Sequence, residues 1–155
     1  MSGGPTGHTF PARDALAAHV ARHAATHPLL NALVQPRPDE AAREAALELS
    51  GLLAGVTVSV KECFPVRGLR TTLGIPGRGV VADLTDADIV SRLRAAGAIV
   101  VGKANVPQAM YLHETDNPVW GRTNHPLSPA RSPGGSSGGD AALVAAGVVG
   151  LAVGT

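Results

Sequence analysis

Only two lysines, Lys61 and Lys103, stand against 11 arginines. Arginine serves wherever a permanent positive charge is enough, whereas a desolvated lysine can release its proton near neutral pH. Lys61 follows Gly55-Val-Thr-Val-Ser-Val60, an alternating, β-branched run that reads as a strand delivering the amine at its C-terminal end. Burial there favours the neutral amine. A neutral amine beside a serine is the Ser-Lys arrangement that replaces Ser-His-Asp on several folds. The plainer alternative is a salt-bridged lysine at the rim of a sheet, with Glu62 next in the chain.

The serine side of such a pair is offered by Gly134-Gly-Ser-Ser-Gly-Gly139, six small residues with no bulk to hold a loop in place. Close backbone packing or a bound group has to fix it, and a loop of this kind before a helix can cradle an anion. A flexible Gly/Ser linker is the alternative. Pro133 on one side and a strongly apolar helix on the other argue against it.

Three further groups carry weaker signals. Gly97-Ala-Ile-Val-Val-Gly-Lys103 matches seven positions of a phosphate-binding loop, then places Ala104 where Ser or Thr should bind magnesium. Its inner residues are strand formers, so Lys103 reads as a polar residue just beyond a buried strand. His19, His23 and His27 share one helical face, a spacing that can bind zinc, but no carboxylate completes the pattern and a solvated face is expected. Cys63, the only thiol, reads as a buried, inert residue, with His113 or His125 as the only bases to consider if it were a nucleophile.

The elements that must position these groups follow from composition and period. At 155 residues the chain has the length of one ordinary domain. Aromatics are 3% of it, so the core is aliphatic. A formal net charge of +1 gives no electrostatic footprint for nucleic acid. No disulfide can form, and no metal site or organic cofactor is implied. Residues 1–10 read as a disordered lead-in without signal-peptide character, and a cytoplasmic protein is the expectation. A helical segment, 11–50, holds helices from Pro11 to about Thr26 and from Asp39 to Leu49, with a short strand at Asn31–Gln35 between them. From 51 the pattern is strand (55–60), loop (64–84), helix after a cap at Thr85-Asp86, and strand (98–101), which suggests a parallel crossover. A loop (113–137), a helix opening at Asp140 and a strand from Val148 to Val153 follow. The stretch 141–155 is apolar to its end but too short to span a bilayer; the domain is expected to continue past Thr155.

Taken together these runs resemble the amidase signature family over about Leu53 to Thr155, two thirds of the chain. The resemblance rests on Gly55-Val-Thr-Val-Ser-Val-Lys61-Glu62, Thr71-Thr-Leu-Gly74, Leu93-Arg-Ala-Ala-Gly-Ala-Ile-Val-Val-Gly-Lys-Ala-Asn105, Asn117-Pro-Val-Trp-Gly-Arg-Thr-Asn-His-Pro126 and Ser132-Pro-Gly-Gly-Ser-Ser-Gly-Gly139. Lys-Glu-Cys-Phe and Asn-Val-Pro-Gln-Ala-Met are most similar to the branch of fatty acid amide hydrolases and related bacterial amidases. The resemblance implies an α/β fold with a mixed sheet flanked by helices, present here as the portion before the nucleophile (51–155). It implies Lys61 as catalytic base and then acid, and Ser136 as a bridging serine after a cis peptide at Gly135. Gly134, Gly135 and Ser137 would form the supporting loop, and Met110 would line the substrate pocket. The family's nucleophile belongs to an Asp-x-Gly-Gly-Ser run, and that serine is expected about five residues past Thr155, so the 155 residues alone are expected to be inactive. The partner implied is a small-molecule amide, with no nucleic acid and no membrane span, and a homodimer is allowed for the complete protein. Two other readings are a non-catalytic relative that binds a partner chain and a glutamyl-tRNA amidotransferase A-type subunit. The run at 105–110 speaks against the second.

Overall fold

The computed structural model describes residues 11–155, so the expectation for 1–10 lies outside the described residues. Four strands, β1 (Leu33–Pro36), β2 (Thr57–Lys61), β3 (Ile99–Ala104) and β4 (Leu151–Val153), form one mixed sheet in the order β1-β3-β2-β4. β2 runs parallel to β3 and to β4, whereas β1 lies antiparallel to β3. Helices α1 (Ala12–Leu30), α2 (Pro38–Ala45), α3 (Asp88–Ala95) and α4 (Gly138–Ala145) flank it. The α/β sheet flanked by helices is thus the architecture that the resemblance implied, and β2, α3 and β3 supply the strand–helix–parallel-strand unit that the patterning suggested.

Strand alternation sends successive side chains to opposite faces. On one face Leu33, Ile99, Val101 and Ala104 pack with Leu30 of α1, Ala41 and Ala45 of α2, and Ala142 and Leu143 of α4. On the other, Val58, Val60 and Val100 pack with Val90 and Leu93 of α3 and with Val66. Each such buried aliphatic side chain contributes roughly 1.5–3 kcal/mol. All five residues of β2 and all six of β3 are buried, which makes these central strands the rigid support of whatever they carry.

The boundaries depart from the pattern in five places. α1 runs through Pro28 to Leu30 and stops at Asn31, whose left-handed backbone lets its N–H reach the His27 carbonyl. Proline in a last turn forfeits little, because few bonds remain to be made there. α2 ends four residues early, at Ala45: Ala46 and Leu47 donate to Arg43 and Glu44 in tighter bonds that close the helix. α3 opens after Ala87 with no side-chain cap, because Asp86 is engaged elsewhere, accepting from the Arg67 N–H and from Arg94. β3 continues past Val101, so Lys103 lies inside the strand rather than beyond it. β4 is three residues long; Val148 and Val149 are core residues of the turn before it.

Candidate active site

Alternation along β2 directs Ser59 and Lys61 to the α4 face, while Val58 and Val60 face α3. Lys61 is fully buried. Its Nζ donates to Ser136 Oγ at 2.7 Å and to Thr155 Oγ1 at 2.5 Å. Among the described residues no carboxylate lies within ion-pair distance of it, so the salt-bridged reading gives way to an amine held by hydroxyls. Burial pulls its pKa below the usual lysine range, and the weaker pull of Cys63 and Asp140 towards the charged form does not reverse this. Such an amine gives up its proton more readily than a free lysine, and once neutral it has a lone pair to offer the neighbouring hydroxyl.

The serine-glycine loop owes its shape to backbone packing. The Gly135–Ser136 peptide is cis. Gly134 has a φ of +92°, a conformation that favours glycine, and its carbonyl accepts from Thr115 Oγ1 at 2.8 Å. Gly135 lies against Pro107 and the backbone of Leu112 and His113, where a side chain would crowd them. Ser137 Oγ exchanges two hydrogen bonds of 3.1 Å with the backbone of Thr155. α4 starts at Gly138, two residues before the expected Asp140, because Gly138 and Gly139 nestle against Thr115 and the Asn105 backbone. The loop thus joins the end of β4, the 107–115 segment and α4 around Ser136.

Asp140 is the next buried polar group on this face, 4% exposed. Ser59 donates to its Oδ1 at 2.9 Å, and its Oδ2 is buried with no partner. Burial pushes this carboxyl up to about 7. Neither residue was singled out from sequence. The alternation that faces Lys61 inward also faces Ser59 inward, and an acid within an otherwise apolar helix was the available signal for Asp140. The Thr155 contact carried no local signal.

Met110 closes a short 3-10 turn, Gln108–Met110, and is half-buried. Ala109 and Met110 both have left-handed backbones, with φ of 54° and 57°. Two consecutive non-glycine residues in that region cost on the order of 1 kcal/mol each. The bond from the Ala109 N–H to the Leu73 carbonyl, 2.8 Å, helps hold them. Nothing in Val106-Pro-Gln-Ala-Met110 announces this conformation, for the run lacks Gly, Asn and Asp.

Lys103 does not join Lys61. Register pairs Lys103 with Val60 and Ala104 with Lys61, so the two amines leave opposite faces of the sheet. Lys103 Nζ donates to the Arg70 carbonyl and Thr71 Oγ1, each at 2.8 Å. Glu62 accepts from the backbone N–H groups of Thr72 and Leu73 and from the Thr72 hydroxyl. These two residues pin residues 70–73 within the 64–84 loop. The Gly97–Lys103 run is largely strand, which removes the loop a phosphate would need.

Of the histidines, His19 is buried rather than solvated: its Nδ1 lies 2.8 Å from the Val148 carbonyl, in the turn that α1 covers. His23 stacks on it with ring centres 5.9 Å apart. Among the described residues no group of three His, Cys, Asp or Glu side chains is placed to hold a metal. Cys63 is half-buried, and burial pushes its thiol up; the charges that bear on it are Lys61, Glu62 and Lys103, not a histidine.

Residues 14–155 match the family model Amidase. The chain belongs to the amidase family. Amidase 1 of Gibberella moniliformis is 46% identical over 97 residues, which cover 63% of this chain and 19% of that protein. Fatty-acid amide hydrolase 1 of Sus scrofa is 45% identical over 106 residues, 68% of this chain and 18% of that one. Among solved structures, 6-aminohexanoate cyclic dimer hydrolase complexed with substrate superposes with a TM-score of 0.86 at 37% identity, covering 92% of this chain and 30% of that chain. This amidase chain therefore spans about a fifth of the length of these curated relatives and under a third of the solved one. The likeness to fatty-acid amide hydrolase agrees with the branch that the Lys-Glu-Cys-Phe and Asn-Val-Pro-Gln-Ala-Met runs indicated. No described helix is long and apolar enough to cross a membrane.

Proposed function

We propose that the protein carrying this chain hydrolyses a carbon–nitrogen amide bond, with Lys61 as the base and Ser136 as the relay between it and a nucleophilic serine. The reading is carried by one observation: a fully buried lysine amine 2.7 Å from the Ser136 hydroxyl. The neutral amine takes the Ser136 proton while Ser136 takes that of the nucleophile, whose oxygen bonds to the carbonyl carbon. The proton returns by the same path to the leaving nitrogen as the C–N bond breaks. Water then repeats the exchange and releases the acid. Met110, at the strained turn beside the loop, lines the substrate pocket.

No Asp-x-Gly-Gly-Ser run occurs in the 155 residues, and the serines nearest the relay are occupied: Ser59 on Asp140 and Ser137 on Thr155. The nucleophile and its oxyanion donors are assigned to another part of the protein, and the 155 residues by themselves are inactive. The test is hydrolysis of aryl and alkyl amides by the protein containing this segment and by the 155-residue chain. Turnover by the former that drops at least about 10²-fold in Lys61→Ala and Ser136→Ala supports the reading, since proton transfer of this kind contributes 10²–10⁴-fold. Full activity in Lys61→Ala overturns it. Turnover by the short chain that disappears in Lys61→Ala overturns the assignment of its inactivity.

A further inference from the structure

Asp140 has no part in the relay, yet among the described residues it is the acid whose charge bears on Lys61. Its carboxyl is buried at the first turn of α4, four residues after Ser136, with Oδ1 fixed by Ser59 and Oδ2 unpartnered. Ser59 and Lys61 are two apart on β2 and share that face. A buried carboxylate with one oxygen unsatisfied is costly unless a cation answers it. Lys61 is the cation whose charge acts on it.

The other charged groups of the sheet are engaged elsewhere. β1 and β4 carry no ionisable side chain. Lys103 of β3 and Glu62 after β2 are engaged with Arg70, Thr71, Thr72 and Leu73 across the sheet. Cys63 is the remaining group whose charge bears on Lys61.

We propose that Asp140 is a positioning residue for Lys61: the buried carboxyl, on the same face of the sheet, biases whether the amine carries a proton, and the site is competent as a base when the carboxyl rather than the amine is protonated. The inference rests on Lys61 being the base of the proposed reaction. Ser59 biases the pair, because its hydroxyl stabilises the ionised carboxylate.

The two lysines make this measurable without turnover. Lysine labelled with ¹³C at Cε gives two side-chain signals from the 155 residues, assigned through Lys103→Arg, and each reports its own ionisation against pH. In Asp140→Asn the Lys61 midpoint falls, because a charge that favours the ammonium is gone. In Ser59→Ala it moves the same way by less, and the Lys103 midpoint stays where it was. An unmoved Lys61 midpoint in Asp140→Asn overturns the proposal. Should that variant fail to fold, an unmoved midpoint in Ser59→Ala does so, and a fall there supports it. The readout is ionisation, so failure of the amide assay leaves this test intact, and failure here leaves the relay of Lys61 and Ser136 intact.

Discussion

Lys103 shows what a buried amine does when it meets carbonyl and hydroxyl acceptors rather than a serine relay. It is fully buried and tied to Arg70 and Thr71, with Asp83 4.0 Å away. Burial lowers its pKa from 10.5 to about 8. A neutral amine still donates, so both bonds survive deprotonation. The unfolded chain keeps its proton up to about 10.4, so between about 8 and that value the unfolded state binds more protons and folding stability rises with pH. Lys61 adds the same sign, whereas the raised Cys63 thiol adds the opposite one above its ordinary value of 9.0. Subtracting a variant isolates the Lys103 share. Lys103→Met is expected to cost about 1–3 kcal/mol at pH 8, by leaving the Arg70 carbonyl and Thr71 unpaired. It also removes up to about 3 kcal/mol of the rise between pH 8 and 10. Urea unfolding of both proteins at the two pH values checks this; parallel curves would contradict it.

At the scale of elements, the glycines at the head of α4 decide whether Ser136 reaches Lys61. A Cβ on Gly139 would collide with the backbone N–H and carbonyl of Asn105 and crowd the Ala32 carbonyl. Main chain cannot swing aside as a flexible side chain can, so α4 must lift away from the end of β3. Gly139→Ala is expected to destabilise by about 3 kcal/mol, at the upper end for overpacking, and to break the Lys61–Ser136 contact. Urea midpoints report the first, and a Lys61 ionisation midpoint moved towards the ordinary lysine value reports the second. How far such elements were legible from sequence depended on whether the cause was local. β2 announced itself because alternation and β-branching are properties of consecutive residues, and Lys61 came with it. The Gly134–Gly139 loop was recognisable as needing support, but its supports, Thr115, Leu112 and Thr155, lie 18 or more residues away in the chain. The cap of α3 and the left-handed pair Ala109–Met110 were set by tertiary hydrogen bonds that no window of sequence contains. His19 was misplaced for the same reason: its partner is the Val148 carbonyl, 129 residues away.

The whole molecule is closed by α1, which brings the beginning of the described chain onto the α4–β4 turn near its end. His19 meets the Val148 carbonyl there, and Arg22 Nη1 donates to the Gly147 carbonyl at 2.6 Å. Acid therefore reaches two buried places with opposite sign. Burial lowers His19, and His23, further pressed by the charges of His27 and His19, falls to about 4. Between that value and the ordinary 6.5, the unfolded chain binds more protons, so stability is full above 6.5 and declines as pH drops. Asp140 is raised from 3.8 to about 7, so across that window the folded state holds the extra proton, and stability from this group grows as pH drops. The two windows overlap almost entirely, and the rest of the titrating surface is common to every variant. His23→Gln is therefore expected to flatten the loss of stability between pH 7 and 4.5. Asp140→Asn is expected to steepen it, by removing an opposing contribution on the order of 3 kcal/mol over the full window. Urea midpoints of the wild type and both variants at pH 7, 5.5 and 4.5 decide the matter. Slopes that change in the same direction in both variants would mean that the histidine seam and the buried acid do not oppose each other, and that one of the two environments differs from the one described.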